Sequence, residues 1–348
     1  MRRKIGMILI ILTNLLLVRS SHLFAEGDWE VIWKGELGVN APLSDVYFLD
    51  QKRGWAVGRI ILHTEDGGKN WKHQEKNINQ DLYRVYFVNS KEGWAVGTKG
   101  AIIHTEDGGN TWELQNSHTP DTLYDMFFLN SDEGWAVSGQ NRPVHGTILH
   151  TQDGGEKWTA QKKSSDFWFW GVFFIDEKEG WVVGGNKDNV GVILKTDDGG
   201  KSWDIRKEWE AGGLLDIEFI NRKEGWIVGE EDIFHTQNGG KDWEHWKFQG
   251  TFGLAKIAFA NSREGWVAGG QRAVYHTTDG GINWERQKIG VDLFSGINYD
   301  GKHTVWTVGV GGSIVRYQDT SLRSGRWWDV VGPDGKLITT WGRLKNIN

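Results

Sequence analysis

Thr105-Glu-Asp-Gly-Gly-Asn-Thr-Trp112 is one of six copies of the pattern Thr-x-Asp-Gly-Gly-x-x-Trp in a chain of 348 residues. The other copies run Thr64–Trp71, Thr151–Trp158, Thr196–Trp203, Thr236–Trp243 and Thr277–Trp284, with Asn238 replacing the aspartate in one of them. Their tryptophans stand 41, 46, 45, 40 and 41 residues apart. A second motif, Gly-Trp followed by two hydrophobic residues, recurs at Gly54, Gly93, Gly134, Gly180, Gly225 and Gly265, with a degenerate copy at Val305-Trp306. A period of this length, filled with short strands and turn signals, means a propeller or array and not an ordinary globular core.

One period shows what a repeat must be. Leu82-Tyr-Arg-Val-Tyr-Phe87 alternates and is rich in strand formers, Asn89-Ser-Lys-Glu-Gly93 is a polar turn, and Trp94-Ala-Val-Gly97 is a short apolar strand. Ala101-Ile-Ile-His104 supplies a third strand, and Trp112-Glu-Leu-Gln115 starts a fourth. Four such strands joined by Gly, Asn and Asp turns make an antiparallel meander. One meander cannot bury both its faces, but seven packed radially can. The fold class expected is therefore all-β, a seven-bladed propeller of four-stranded antiparallel blades. Within the box, Asp107 is placed to accept amide hydrogen bonds across its own loop, and Gly108 and Gly109 permit positive φ. Thr105 and Trp112 are expected to face the seam with the neighbouring blade.

The ends of the chain complete the count. Asp28-Trp-Glu-Val-Ile-Trp33 resembles Asp242-Trp-Glu-His-Trp246, the end of a box and its outer strand. Leu293–Tyr299, Val305–Val308 and Ser313–Tyr317 supply three strands with no intact box after them. Trp29–Lys34 is therefore expected to complete the seventh blade and close the ring. Fourteen of the 22 tryptophans then hold repeat positions: seven in the Gly-Trp strands, six in the boxes, and Trp29. The propeller is assigned to residues 26–319, and residues 320–348 read as an added strand, a tail or a basic partner-binding segment.

Residues 1–25 read as a signal peptide. Met1-Arg-Arg-Lys4 is basic, Ile5–Val18 is apolar apart from Thr13 and Asn14, and Ala25 offers a cleavage point. A stretch of fourteen residues is short for a bilayer span. The expected location is the periplasm, the thylakoid lumen or the extracellular space. The chain has no cysteine, which excludes disulfides, thiol chemistry and lipoprotein attachment. The leader carries four basic residues and no acid, so the remainder holds 36 basic against 46 acidic residues, a net charge of −10. That balance argues against a nucleic-acid or anionic-membrane binder.

Repeated polar residues are read as architecture. Six box carboxylates around a ring cannot converge on one ion at the ~2.3–2.6 Å that calcium needs. His63, His104, His150, His235 and His276 all precede a box threonine, with Lys195 and Arg316 at that position in blades four and seven. They are expected at a repeated outer-strand position, too far apart to share a metal. No metal, cofactor or catalytic residue is assigned.

Partner-binding candidates come from the enlarged segments. Ser138–His145 in blade three and Gly185–Val190 in blade four are long second-to-third-strand loops, and Lys162–Trp170 links these two blades. They should share the face opposite the boxes. Long loops and exposed Trp and Arg are frequent interface elements. The candidates are Arg142, His145, Lys162, Lys163, Asp166, Trp168, Trp170, Lys187 and Asp188. The alternative is that Trp170 simply opens the inner strand of blade four, with Trp168 packed beneath. A second candidate is a ring at the channel mouth formed by the third inner-strand position: Asp45, Arg84, Asp125, Gly171, Asp216, Lys256 and Ser295. Its alternating signs fit mutual neutralisation.

Residues 28–319 resemble the Asp-box propellers. The combination Gly-Trp-x-Val-Gly and Ile-x-His-Thr-x-Asp-Gly-Gly-x-x-Trp is similar to the photosystem II assembly and stability factor family. The resemblance implies a non-enzymatic, exported scaffold, monomeric, that binds newly made membrane proteins as assembly intermediates. The runner-up is a carbohydrate-binding or glycosidase-like propeller using the blade three/four face. Against it, the sequence lacks the Arg-Ile-Pro motif of sialidases, and Arg142-Pro143 is not equivalent. Asp125 and Asp166 could approach, across blades three and four, the spacing of roughly 5–10 Å that glycoside cleavage requires, but any acidic protein offers such pairs.

Overall fold

Each Gly-Trp strand and its neighbours form one blade, and seven such sheets form the ring. The computed structural model describes residues 28–34 and 41–318, apart from 211, 249–252, 270–272, 288, 290–294, 303 and 310. The expected leader and tail lie outside the described residues. Every sheet is a four-stranded antiparallel meander. Blade two shows the pattern, with strands Leu82–Phe87, Gly93–Gly97, Ala101–Thr105 and Glu113–Asn116. The fourth strand starts one residue later than expected because Trp112 belongs to the turn. In the seventh blade Gly296–Tyr299, Thr304–Val308 and Ile314–Gln318 are joined on the outside by Asp28–Trp33. The first strand of the chain therefore pairs with the last described one, Trp29 opposite Tyr317 and Val31 opposite Val315.

The core is a cyclic stack of aromatic rings. Trp55, Trp94, Trp135, Trp181, Trp226, Trp266 and Trp306 are fully or almost fully buried. Each lies against the aromatic residue that ends the inner strand of the next blade: Trp55 on Phe87 at 3.5 Å, Trp94 on Phe128 at 3.8 Å, Trp135 on Phe174 at 3.5 Å, and Trp226 on Phe259 at 3.7 Å. Trp306 of blade seven stacks on Phe48 of blade one at 4.0 Å, which carries the pattern across the closure. The box tryptophan meets the same phenylalanine edge-on, as Trp112 does Phe87 at 5.9 Å and 85°. Offset and edge-to-face pairs of this kind contribute about 0.5–1.5 kcal/mol beyond the area they bury. In blades one to six the glycine before the tryptophan makes room for this packing, since a Cβ on Gly93 would lie 2.5 Å from the Phe87 ring.

The histidines have a different place from the one expected. They stand on the third strand, not the outer one. His63, His104, His150, His235 and His276 cover the other face of their own blade's tryptophan at 4.6–4.7 Å. Lys195 and Arg316 take the same position over Trp181 and Trp306. Several also face a glutamate of the first turn, as in His150–Glu133 at 3.2 Å and Lys195–Glu179 at 2.7 Å. A planar or cationic group packed on an indole explains why His, Lys and Arg exchange there.

The box is a turn built around threonine. Thr105 Oγ1 donates to Asp107 Oδ1 at 2.9 Å and accepts the Gly109 N–H at 2.8 Å, while Asp107 Oδ1 accepts the Thr111 N–H at 2.8 Å. Thr105 thus points into its own turn and not into the seam. Gly108 and Gly109 take φ of 76° and 90°. Boxes dock on the first-to-second-strand turns, through Gly108 N–H to Lys91 O at 2.7 Å. The second-to-third-strand turns and the blade-to-blade linkers occupy the opposite face.

Candidate functional site

Inner strands carry one irregularity that shapes the channel entrance. In blades one to six the register slips near the start of the strand, at Leu43/Asp45, Leu82/Arg84, Leu123/Asp125, Phe169/Gly171, Leu214/Asp216 and Leu254/Lys256. A bulge turns the extra residue out of the strict alternation. The extra residues are Ser44, Tyr83, Tyr124, Trp170, Leu215 and Ala255, and together with Ser295 they line a cavity of about 550 Å³. Arg59 and Asp81 stand at its rim, paired at 3.9 Å, and Lys256 lies at its floor. Tyr83 stacks on Tyr124 with centroids 5.7 Å apart. Burial pushes the Tyr124 phenol up, assisted by Tyr83, while hydrogen bonding with the Trp170 side chain opposes the shift. One wall is thus an aromatic arc from blades two to four, and the opposite wall is small: Ser44, Ala255 and Ser295.

Below the mouth lies the charged ring. Asp45, Arg84, Asp125, Asp216 and Lys256 form it, but they are buried one layer beneath the entrance. The blade-seven member is Gly296, not Ser295, because Gly296 pairs with Val308 as Asp45 does with Val57. Arg84 lies 2.9 Å from Asp125 and 3.6 Å from Asp45, and Lys256 lies 3.0 Å from Asp216 and 3.7 Å from Asp125. Each acid also accepts an amide hydrogen bond from the next blade: Val85 N–H to Asp45 at 3.1 Å, Val172 N–H to Asp125 at 3.0 Å and Ile257 N–H to Asp216 at 3.0 Å. The ring is a set of inter-blade latches. Burial would depress the Arg84 guanidinium, but Asp125, Asp45 and Asp216 outweigh it and hold the group above its ordinary value. Burial likewise raises Asp45 and Asp216, which the two cations only partly offset.

Glu218 sits one layer deeper and accepts the Phe259 N–H at 3.0 Å. Burial, and then the nearby Asp216, push its carboxyl well above the ordinary value of 4.5. A carboxyl raised on folding binds protons that the unfolded chain has released, so its contribution to stability falls as pH rises above the unfolded value. Glu218→Gln keeps the acceptor and removes the ionisation. It is expected to raise the melting temperature at about pH 8 and leave it unchanged near pH 4; equal melting at both pH values would contradict the placement.

The sequence-derived partner residues do not form one patch. Arg142 and Pro143 form a two-residue turn, because the strands continue to Asn141 and resume at Val144. The expected loop Ser138–His145 is thus a hairpin. His145 is committed to buried Asp121 at 2.7 Å. Lys162 and Lys163 belong to an outer strand, opposite Ile148 and Thr147. Asp166 is exposed in the linker and Asp125 is buried in the ring. Lys187 pairs with Asp188 at 2.8 Å in an exposed turn. Trp168 is buried beneath Trp170, with centroids 5.3 Å apart. Of the nine candidates only Trp170 lines the cavity. Tyr83, Tyr124 and Arg59 also line the cavity and are not among the candidates. The recurring Leu-x-charged start of the inner strands was the available signal.

Comparison with known proteins places the fold in a family. No curated protein matches the sequence. The structure of YCF48 bound to D1 peptide is 22% identical, with a TM-score of 0.67 over 84% of this chain and 97% of that one. YCF48 from Cyanidioschyzon merolae is 21% identical, with a TM-score of 0.66 over 83% and 98%. The GH74 xyloglucanase from Xanthomonas campestris shares the fold at 10% identity, with a TM-score of 0.61 over 82% of this chain and 53% of that chain. The model of the family described as photosynthesis system II assembly factor YCF48 matches residues 24–119, 73–168, 112–208, 164–250, 206–296 and 246–320. Those overlapping matches run through every blade, and the chain belongs to the photosynthesis system II assembly factor YCF48 family.

Proposed function

We propose that this chain is an exported, non-enzymatic propeller that holds a segment of another protein, a membrane-protein assembly intermediate, against the mouth of its channel. The observation that carries the reading is the aromatic arc of Tyr83, Tyr124 and Trp170 around the 550 Å³ cavity. Rigid aromatic side chains that offer apolar area and polar tips are typical anchors for a peptide. A structural relative at 22% identity has a D1 peptide bound, which supports a protein partner. The acids nearest the cavity are engaged: Asp81 with Arg59, and the ring carboxylates with amides and cations. That engagement favours binding over acid–base hydrolysis. Export rests on the composition of residues 1–25.

A photo-crosslinking side chain at Tyr83, which is 36% exposed at the rim, tests the site. In membrane extracts of the source organism it is expected to capture a membrane protein, and Trp170→Ala is expected to reduce the yield by about tenfold, the effect of losing one anchor of about 1.4 kcal/mol or more. Absence of any protein adduct, with retention on glycans instead, would replace this reading with the carbohydrate one.

A further inference from the structure

The mouth has an electrostatic character that its lining alone does not reveal. In the ring and the layer below it, Asp45, Asp125, Asp216 and Glu218 supply four carboxyl groups against the two cations Arg84 and Lys256 among the described residues. Lys256, the one cation at the floor among the described residues, is held between Asp216 and Asp125 at 3.0 and 3.7 Å. Among the described residues the rim adds one of each sign, Arg59 and Asp81, 3.9 Å apart. The aromatic wall faces small residues across the cavity, so a guest entering the space lies against the ring faces of Tyr83, Tyr124 and Trp170. Aromatic faces attract cations, and the attraction grows as water is excluded.

We propose that the mouth admits a basic side chain, lysine or arginine, of the bound protein segment, with its stem or guanidinium plane on the aromatic arc and its charge above the carboxyl-rich layer. The inference rests on the reading of the mouth as a peptide-binding site and adds the chemistry of the residue it takes. An acidic guest meets the opposite situation. The floor lysine is already neutralised, and Asp81 stands at the rim. The chain as a whole is acidic, −6 over 348 residues, which favours approach of a basic segment.

The test uses the full chain and four probes, acetyl-Gly-X-Gly-amide with X as arginine, lysine, norleucine or glutamate. Binding is read from the NMR signal of the Trp170 indole N–H, assigned with Trp170→Phe. Arginine and lysine probes are expected to shift this signal with affinity at least about tenfold above norleucine, the upper part of the range for a desolvated cation on aromatic rings. Asp81→Asn, at a side chain that is half exposed, is expected to narrow that advantage by about threefold, as for one partly exposed charge. Norleucine equal to arginine, tighter binding of glutamate, or no shift with any probe at about 10 mM would overturn the inference. If Tyr83 crosslinking still captures a protein in those cases, the protein-binding reading stands and only the basic guest is lost. If the basic probes bind but no protein is captured, the cation site stands and the scaffold reading falls.

Discussion

Trp94→Ala is expected to lower the unfolding free energy by about 3–5 kcal/mol, the range for removing a large buried aromatic side chain. Trp94 is wholly buried, with Phe128 of blade three at 3.8 Å on one face and His104 at 4.6 Å on the other. Its Nε1–H donates to Gly154 O at 2.9 Å, in the box of the next blade. That carbonyl keeps a second donor, Gln115 Nε2 at 2.9 Å, so the substitution does not leave an unpaired acceptor. The loss is therefore that of the cavity and of the inter-blade stack. Urea denaturation monitored by circular dichroism measures it, and a loss below about 1 kcal/mol would show that blades two and three are not joined through this ring.

Deletion of Asp28–Lys34 is expected to cost on the order of 5 kcal/mol, from the exposure of Trp29, Val31, Ile32 and Trp33 at about 1.5–3 kcal/mol for each fully buried side chain and less for these half-buried ones. The strand completes blade seven and holds it to the rest of the chain. Trp29 packs on Tyr317 at 5.1 Å and donates to Gln287 Oε1 at 3.2 Å, which ties the closing strand to blade six. The Arg316–Glu30 ion pair at 2.6 Å adds little, because Glu30 is largely exposed. A melting temperature lower by about 10 °C or more is the expected readout for a loss of that size in a domain of this length. Unchanged melting would mean that the ring closes without the first strand. Trp29→Ala, by contrast, should shift melting by only a few degrees, since it leaves the strand pairing of Val31 with Val315 in place.

The fold was legible because each repeat states its local structure completely. Two glycines at positive φ, a threonine and an aspartate define the box turn within eight residues, and Gly-Trp marks the strand whose glycine clears the Phe ring. Blade number and closure follow from counting these signals and finding a spare outer strand at Asp28–Trp33. The histidine position was misplaced by one strand. A single His-Thr before the box reads as the edge of the turn, and only packing shows that it covers an indole.

Local sequence determined the blades, their number and their order in the ring, because turns and strands depend on neighbours a few residues apart. The tertiary structure decided the site. Strict alternation places Asp45, Arg84 and Asp125 at the entrance, but a bulge in the inner strand of blades one to six lowers that ring into the channel and puts Ser44, Tyr83, Tyr124 and Trp170 at the mouth. Tyr83 and Tyr124 belong to different blades, and they stack only because radial packing brings two bulges side by side. The carboxyl surplus beneath them likewise exists only around the closed ring, where Asp45, Asp125 and Asp216 share Arg84 and Lys256 and Glu218 lies one layer deeper.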